Sequence, residues 1–246
     1  MEWWEKEIDE IANDSLHGAT YLTKKSIELV KKASFNELPL ILPKLKNAQP
    51  FMASIYNFAS FIEKNLENFS STLCDKWWIE FEKANELIVQ KAAPLLRGKR
   101  ILTHSHSSLV HKALLEAKDV QVLCTESRPK NEGRVLAQQL LQNGIDVTLI
   151  IDAAAATLIK EVDAVVFGAD GIGSFGLVHK VGSFPIALAA YEMQVPLMSL
   201  CPKQKIWPSD YALPKEERNP QELHFPKAIN IYFDITPSKY ITKIIN

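Results

Sequence analysis

The chain has 246 residues, 47% of them hydrophobic and 23% charged, which is enough for one large or two modest domains with a real core and excludes general disorder. Its 28 Lys and Arg residues nearly balance 29 Asp and Glu residues, for a net charge of −1, so composition offers no broad basic surface to nucleic acid or an anionic membrane. Three widely spaced cysteines make neither a disulfide framework nor a zinc pattern, and neither the acidic start MEWWEKEIDE nor apolar runs such as Phe184 to Tyr191 suit a signal peptide or a membrane span, so a cytoplasmic protein is expected.

From Glu2 to about Leu96 the pattern is helical. Apolar residues recur at three and four spacing through Ile8, Ile11, Leu16, Leu22, Ile27 and Val30. Asn13, Asp14 and Ser15 supply cap and turn chemistry just before His17-Gly18-Ala19-Thr20, which predicts a break and a new helix N-terminus there. Further helices are expected from near Pro50 and from about Leu73 to Val89. After Arg100 the period changes to short β-rich runs alternating with helices. The predicted strands are Ile101 to Thr103, Val120 to Thr125, Val147 to Ile151, Ala164 to Gly168 and Pro196 to Leu200. The predicted helices are Ser108 to Ala117, Arg134 to Gln142, Ala153 to Ile159 and Ser183 to Met193. Strand and helix in alternation imply right-handed crossovers and a parallel sheet. The fold class is therefore α/β, with a helical N-terminal domain over 1–97 and a Rossmann-like parallel-sheet domain over 98–246. Pro202 to Pro226 reads as a surface excursion, leading to Ile229 to Phe233 and a turn at Asp234 to Pro237.

In an open parallel sheet, ligands bind at the carboxyl ends of the strands, where helix N-termini present free N–H groups to anions. Four segments fall there. In Thr103 to Ser108, the hydroxyls of Ser107 and Ser108 either cap the next helix or share its N–H groups with a phosphate. His104, His106 and His111 predict no metal, because no carboxylate or cysteine accompanies them at a ligand spacing. In Cys124 to Pro129, Arg128 either forks onto a phosphate or pairs with Glu126 and Glu132. Asp170, flanked by small residues at a strand end, is either a partly desolvated proton-transfer group or a plain turn residue. Lys180, ahead of a helix, is either a phosphate clamp or a solvated lysine. The Gly-x-Gly-x-x-Gly string over Gly171 to Gly176 follows the fourth strand and lies away from the next helix, so it predicts a flexible loop and no dinucleotide cofactor.

Taken together, ILTHSHSS (101–108), TESRP (125–129) with Gly133-Arg134, GIDVTLIIDAAA (144–155), GADGI (168–172), HKVGS (179–183), FDITP (233–237) and HGA (17–19) resemble one family in order and spacing. It contains the alpha, beta and delta subunits of translation initiation factor 2B, methylthioribose-1-phosphate isomerase and archaeal ribose-1,5-bisphosphate isomerase. The resemblance implies a homodimer formed through the Rossmann-like domain and a phosphorylated pentose or nucleoside monophosphate bound between the domains. It implies ligand contacts from His17, Gly18, Ala19, Thr20, Ser107, Ser108, Arg128, His179, Lys180 and Lys205. In the isomerases a cysteine and an aspartate form the acid-base pair; Asp170 matches the aspartate, and Ser105 stands where the cysteine would be. A hydroxyl has a far higher pKa than a thiol and is a poor proton donor-acceptor at neutral pH, so binding is expected ahead of turnover. Aldose-ketose isomerisation and a regulatory role in translation initiation are the alternatives. His17, Gln49 and His179 replace an arginine, an arginine and an asparagine of the isomerases.

Overall fold

A computed structural model describes residues 2–246. The first half is a bundle of α1 (Trp3–Asn13), α2 (Ala19–Lys32), α3 (Leu38–Ala48), α4 (Ala53–Lys64) and the start of α5 (Ser71–Leu96). Ile11, Leu22, Leu29, Leu42, Leu45, Phe58 and Phe81 are fully buried in its core. α3 escaped the reading above because of its two prolines. Pro39 sits in the first turn, where a missing N–H costs nothing, and Leu38, Ile41, Leu42 and Leu45 still form one buried stripe around Pro43. α5 belongs to both halves: Cys74, Trp77 and Phe81 pack into the bundle, whereas Ile88, Ala92, Ala93 and Leu96 lie in the core beneath the sheet.

The sheet runs β3 (Asp146–Ile150), β2 (Val120–Thr125), β1 (Lys99–Thr103), β4 (Ala164–Phe167), β7 (Leu197–Leu200), β9 (Lys243–Ile245) in spatial order, with every pairing parallel. α6 (Ser108–Ala117), α7 (Glu132–Gln142) and α8 (Ser183–Glu192) make the crossovers. From β1 the chain steps outward to β2 and β3, then returns to β4 on the other side, so β1 and β4 flank the point where strand order reverses.

Three local expectations are corrected. Ala153 to Ile159 is not a helix; the chain makes single 3-10 turns at Asp152–Ala154 and Ile159–Glu161. The glycine string is not a flexible loop but a hairpin of β5 (Gly171–Gly173) and β6 (Gly176–Lys180). The predicted turn at Asp234 is strand β8 (Phe233–Thr236), which completes a small antiparallel sheet in the order β5-β6-β8. Gly176 has φ +128°, and a Cβ there would lie 2.3 Å from the Thr236 carbonyl oxygen, so the hairpin accepts only glycine at this point. No helix among the described residues is long and apolar enough to cross a membrane.

The two halves meet along α4. The Ala53 N–H donates to the Asp170 carbonyl (3.0 Å), and the Asn57 amide donates to the carbonyls of Gln204 (2.9 Å) and Ile206 (2.8 Å). Phe51, Ala53, Val178 and Trp207 are buried between them. A Cβ on Gly171 would come within 2.2 Å of the Trp207 indole and 2.7 Å of the Ala53 methyl. Gly171→Ala is therefore expected to lower stability by about 1–3 kcal/mol through overpacking, seen as a lower urea midpoint at unchanged m-value.

Candidate functional site

A cleft of about 660 Å³ opens where the bundle faces the carboxyl ends of β1 and β4. Residues 14–21, Gln49 and Met52 line it from the bundle; residues 105–108, Glu132, Ala169, Asp170, His179, Lys180, Lys205 and Tyr232 line it from the sheet. The loop after β1 is held from beneath by a buried polar chain. The His104 Nε2–H donates to the Val181 carbonyl at 2.8 Å, leaving Nδ1 to accept from the Thr125 hydroxyl at 2.6 Å. Burial pushes His104 down to about 4, which keeps the ring neutral. Ser127 Oγ in turn accepts the Ser105 N–H at 2.7 Å, with Ser105 in the left-handed region at φ 66°.

Five groups of converging backbone N–H donors lie around the cleft, and the protein's own carboxylates fill three of them. Asp14 Oδ1 accepts from the N–H groups of Leu16 and His17, both at 2.9 Å, just ahead of α2. Asp152 accepts from the N–H groups of Ser127 and Arg128, both at 2.7 Å. Asp234 Oδ2 caps α8, accepting from Gly182 (2.8 Å) and Phe184 (3.1 Å). The N-termini of α2 and α6 remain open. Gly18 begins α2 with no side-chain cap and with nothing within 4 Å of where a Cβ would stand. At α6, Ser107 Oγ takes only the Val110 N–H (3.3 Å). The two ends face one another across the cleft, with Ser108 Oγ 3.5 Å from Thr20 Oγ1. His17 lies at the rim, its Nδ1 2.8 Å from Asp14 Oδ2 and its ring stacked on Tyr21 at 4.0 Å.

Asp170 forms the cleft floor. Its N–H donates to the Val178 carbonyl (3.0 Å) and its carbonyl receives Ala53, but its carboxylate has no hydrogen-bond partner among the described residues. Burial raises it to about 6, against the opposing pull of Lys205 and Lys180. Lys205 is buried with Nζ on the Ala169 carbonyl at 2.7 Å; burial lowers its pKa, and Asp170 partly offsets that. Lys180 Nζ lies 2.6 Å from Glu132 Oε1 and 5.0 Å above the Tyr232 ring.

Of the residues named from sequence, the cleft gathers His17, Gly18, Ala19, Thr20, Ser105, Ser107, Ser108, Asp170, His179, Lys180 and Lys205. It does not include Arg128. That side chain is exposed, only its backbone N–H is engaged, and the ion pairs proposed for it belong to others: Arg134 holds Glu126 (2.7 Å) and Lys180 holds Glu132. The reading missed Lys130, Arg218 and Tyr232. Both cations stack on the Tyr232 ring, at 5.5 and 4.8 Å, and they come from separate loops with no spacing signal to announce them. Cys124 and Cys201 do not line the cleft; both are buried, with burial pushing each thiol up to about 12, so neither offers the cleft an ionisable thiol.

The sequence profile of the Initiation factor 2 subunit family matches residues 17–246. The chain is 34% identical to a ribose 1,5-bisphosphate isomerase of Methanocaldococcus jannaschii, over 96% of this chain and 87% of the relative. It is 30% identical to a putative translation initiation factor eIF-2B subunit 2-like protein of Pyrococcus furiosus, over 98% and 93% of the two chains. The crystal structure of translation initiation factor eIF-2B from Pyrococcus horikoshii superposes with a TM-score of 0.88 at 28% identity, covering 100% of this chain and 95% of that one.

Because Asp170 in the folded chain titrates near 6, above the ordinary 3.8, its charged form opposes folding. Stability is expected to fall as pH rises across that window and to be free of the penalty below it. Asp170→Asn should therefore be more stable than the parent chain at pH 7 by about 1–3 kcal/mol, with the difference vanishing near pH 4. Asp234, also raised to about 6 by burial, is present in both proteins and cancels. Paired urea titrations at the two pH values measure the difference.

Proposed function

The chain belongs to the Initiation factor 2 subunit family, and on that premise we propose that it binds a phosphorylated pentose or a nucleoside monophosphate in the cleft between bundle and sheet. The observation that carries this reading is the pair of open helix N-termini, α2 and α6, meeting across the cleft while carboxylates fill the comparable donor sets beside them. Free first-turn N–H groups and the positive end of the helix dipole favour an anion at that place. Lys205, Lys180 and Asp170 lie deeper in the same cleft, where the unphosphorylated part of a sugar would reach. The exposed apolar side chains of Leu188 and Tyr191 on α8, with Met193 just beyond it, support a homodimer built through the sheet-bearing half.

Isomerisation is a second reading. It is favoured by Asp170, whose value near 6 suits proton transfer at neutral pH, and by relatives named as isomerases. Against it stands Ser105, which offers no ionisable partner across from that carboxylate. The reading adopted is binding without turnover of this kind.

Calorimetry with ribose 5-phosphate and AMP tests the proposal, and Gly18→Asp is the discriminating variant. It adds a self-capping carboxylate to α2 in open space, so the fold should persist while affinity for either ligand drops about tenfold or more, since like charges about 4 Å apart near a protein surface repel by several kcal/mol. No binding by the parent chain would end the reading. Conversion of ribose 1,5-bisphosphate to its ketose, abolished by Asp170→Asn, would replace it with the second.

A further inference from the structure

His179 is 4% exposed and locked on every side but one. Phe167 stacks on its ring with centroids 5.4 Å apart and planes 19° apart, and the His104 ring meets its edge at 6.3 Å. Nδ1 lies 2.8 Å from Ser183 Oγ, which itself lies 2.6 Å from the Lys180 carbonyl oxygen. A carbonyl only accepts, so the single hydroxyl proton of Ser183 points to Lys180, and the Nδ1 contact must be made with the imidazole's own proton. A neutral imidazole has one ring proton, so Nε2 is left with a bare lone pair. Nε2 has no protein donor among the described residues, and the ring lines the cleft. The nearby Gly168 keeps it open: a Cβ there would stand 2.4 Å from Ser107 Oγ and 3.7 Å from His179 Nε2. The absent side chain thus leaves open the space between Nε2 and Ser107, the residue that caps α6. Both the tautomer and the direction of the lone pair are set by the fold before any ligand arrives.

We infer that His179 is the group that reads a sugar hydroxyl, its Nε2 accepting the hydroxyl proton in a hydrogen bond, so that the cleft selects a hydroxyl-bearing sugar phosphate over bare phosphate. This rests on the binding reading above and assigns it a specificity residue. Nearby donors serve the anion: the α2 and α6 N–H groups and the remaining protons of Lys205. A protonated imidazole would join them as one more donor. Burial, and then the closeness of His104, Lys205 and Lys180, hold His179 well below the ordinary histidine range, so it stays neutral and accepting. A site built around a buried acceptor rejects a ligand that offers it no donor, because the acceptor is then left unpaired away from water.

The test is calorimetry of the parent chain, His179→Phe and His179→Asn, each with ribose 5-phosphate and with inorganic phosphate. Phenylalanine keeps a flat ring against Phe167 and removes the acceptor; asparagine restores one through its side-chain oxygen. His179→Phe is expected to weaken ribose 5-phosphate about tenfold or more, leave inorganic phosphate within about twofold, and be partly rescued by His179→Asn. Unchanged affinity for ribose 5-phosphate, or equal losses for both probes, overturns the assignment while the binding reading stands; a parent chain that binds neither probe overturns the binding reading itself. A measurement on the unmutated protein guards against a variant that does not fold. With ¹⁵N-labelled histidine, the His179 Nε2 resonance should keep an unprotonated position between about pH 6 and 8, and move with ribose 5-phosphate but not with inorganic phosphate. A protonated Nε2 in the free protein overturns the assignment outright.

Discussion

The cleft depends on the backbone of one residue. Asp170 is held through its N–H by Val178 of the hairpin and through its carbonyl by the first N–H of α4, so a single residue is bonded to both halves of the molecule. The bond to Ala53 does double duty in a physical sense: it satisfies an otherwise orphaned donor at a helix start, and it fixes the bundle against the sheet. With its backbone fixed twice, the carboxylate keeps its place at the cleft floor without any hydrogen bond of its own. Gly171, next in the chain, has no side chain because Trp207 and Ala53 occupy the space where one would go. The free carboxylate and the joint between the halves are therefore the same structural feature.

The second organising fact is which donor sets the fold consumes internally. Asp152 and Asp234 both lie in strings that resemble the family, yet neither carboxylate is offered to a ligand. One fixes the turn after β2 and the other caps α8. Filling those positions from within leaves the α2 and α6 ends as the places where an anion gains most. These two ends belong to different halves, so an anion held between them would also hold the halves together, which couples occupancy to the geometry of the α4 joint.

The sheet was legible because its signal is strong. Helix Ser108–Ala117 and strand Val120–Thr125 stand where hydrophobic period and cap chemistry put them, and the break before Ala19 follows from Asn13, Asp14 and Ser15. Where the reading failed, local chemistry pointed one way and tertiary contacts another. Gly171 to Gly176 reads as a loop from its glycines, but those glycines are there for close approach to Trp207, Phe175 and Thr236 in a paired hairpin. Asp234-Ile235-Thr236-Pro237 reads as a turn until β6 supplies the partner strand. Arg128 shows the limit of motif matching: the string TESRP is in place, but what this chain uses from it is backbone N–H, and no sequence pattern tells whether a side chain or its peptide does the binding. Tyr232 was invisible for a different reason, since Lys130, Lys180 and Arg218 reach its ring from three separate segments.

That aromatic hub decides how the cleft's charge is to be understood. Each of its cations already has a carboxylate: Lys180 has Glu132 at 2.6 Å, Lys130 has Glu222 at 2.9 Å and Arg218 has Glu216 at 2.9 Å. A phosphate arriving there would compete with anions held at hydrogen-bond distance and would gain little net attraction. At the α2 and α6 ends it meets first-turn N–H groups of which only Val110 has a side-chain acceptor, so it displaces no carboxylate and gains charge-assisted hydrogen bonds in exchange for water. Counting positive side chains would place the anion beside Tyr232. Unpaired donors favour the gap between Thr20 and Ser108 instead, and a phosphate seated there would leave the rest of a ligand to face Asp170, Lys205 and the bare nitrogen of His179.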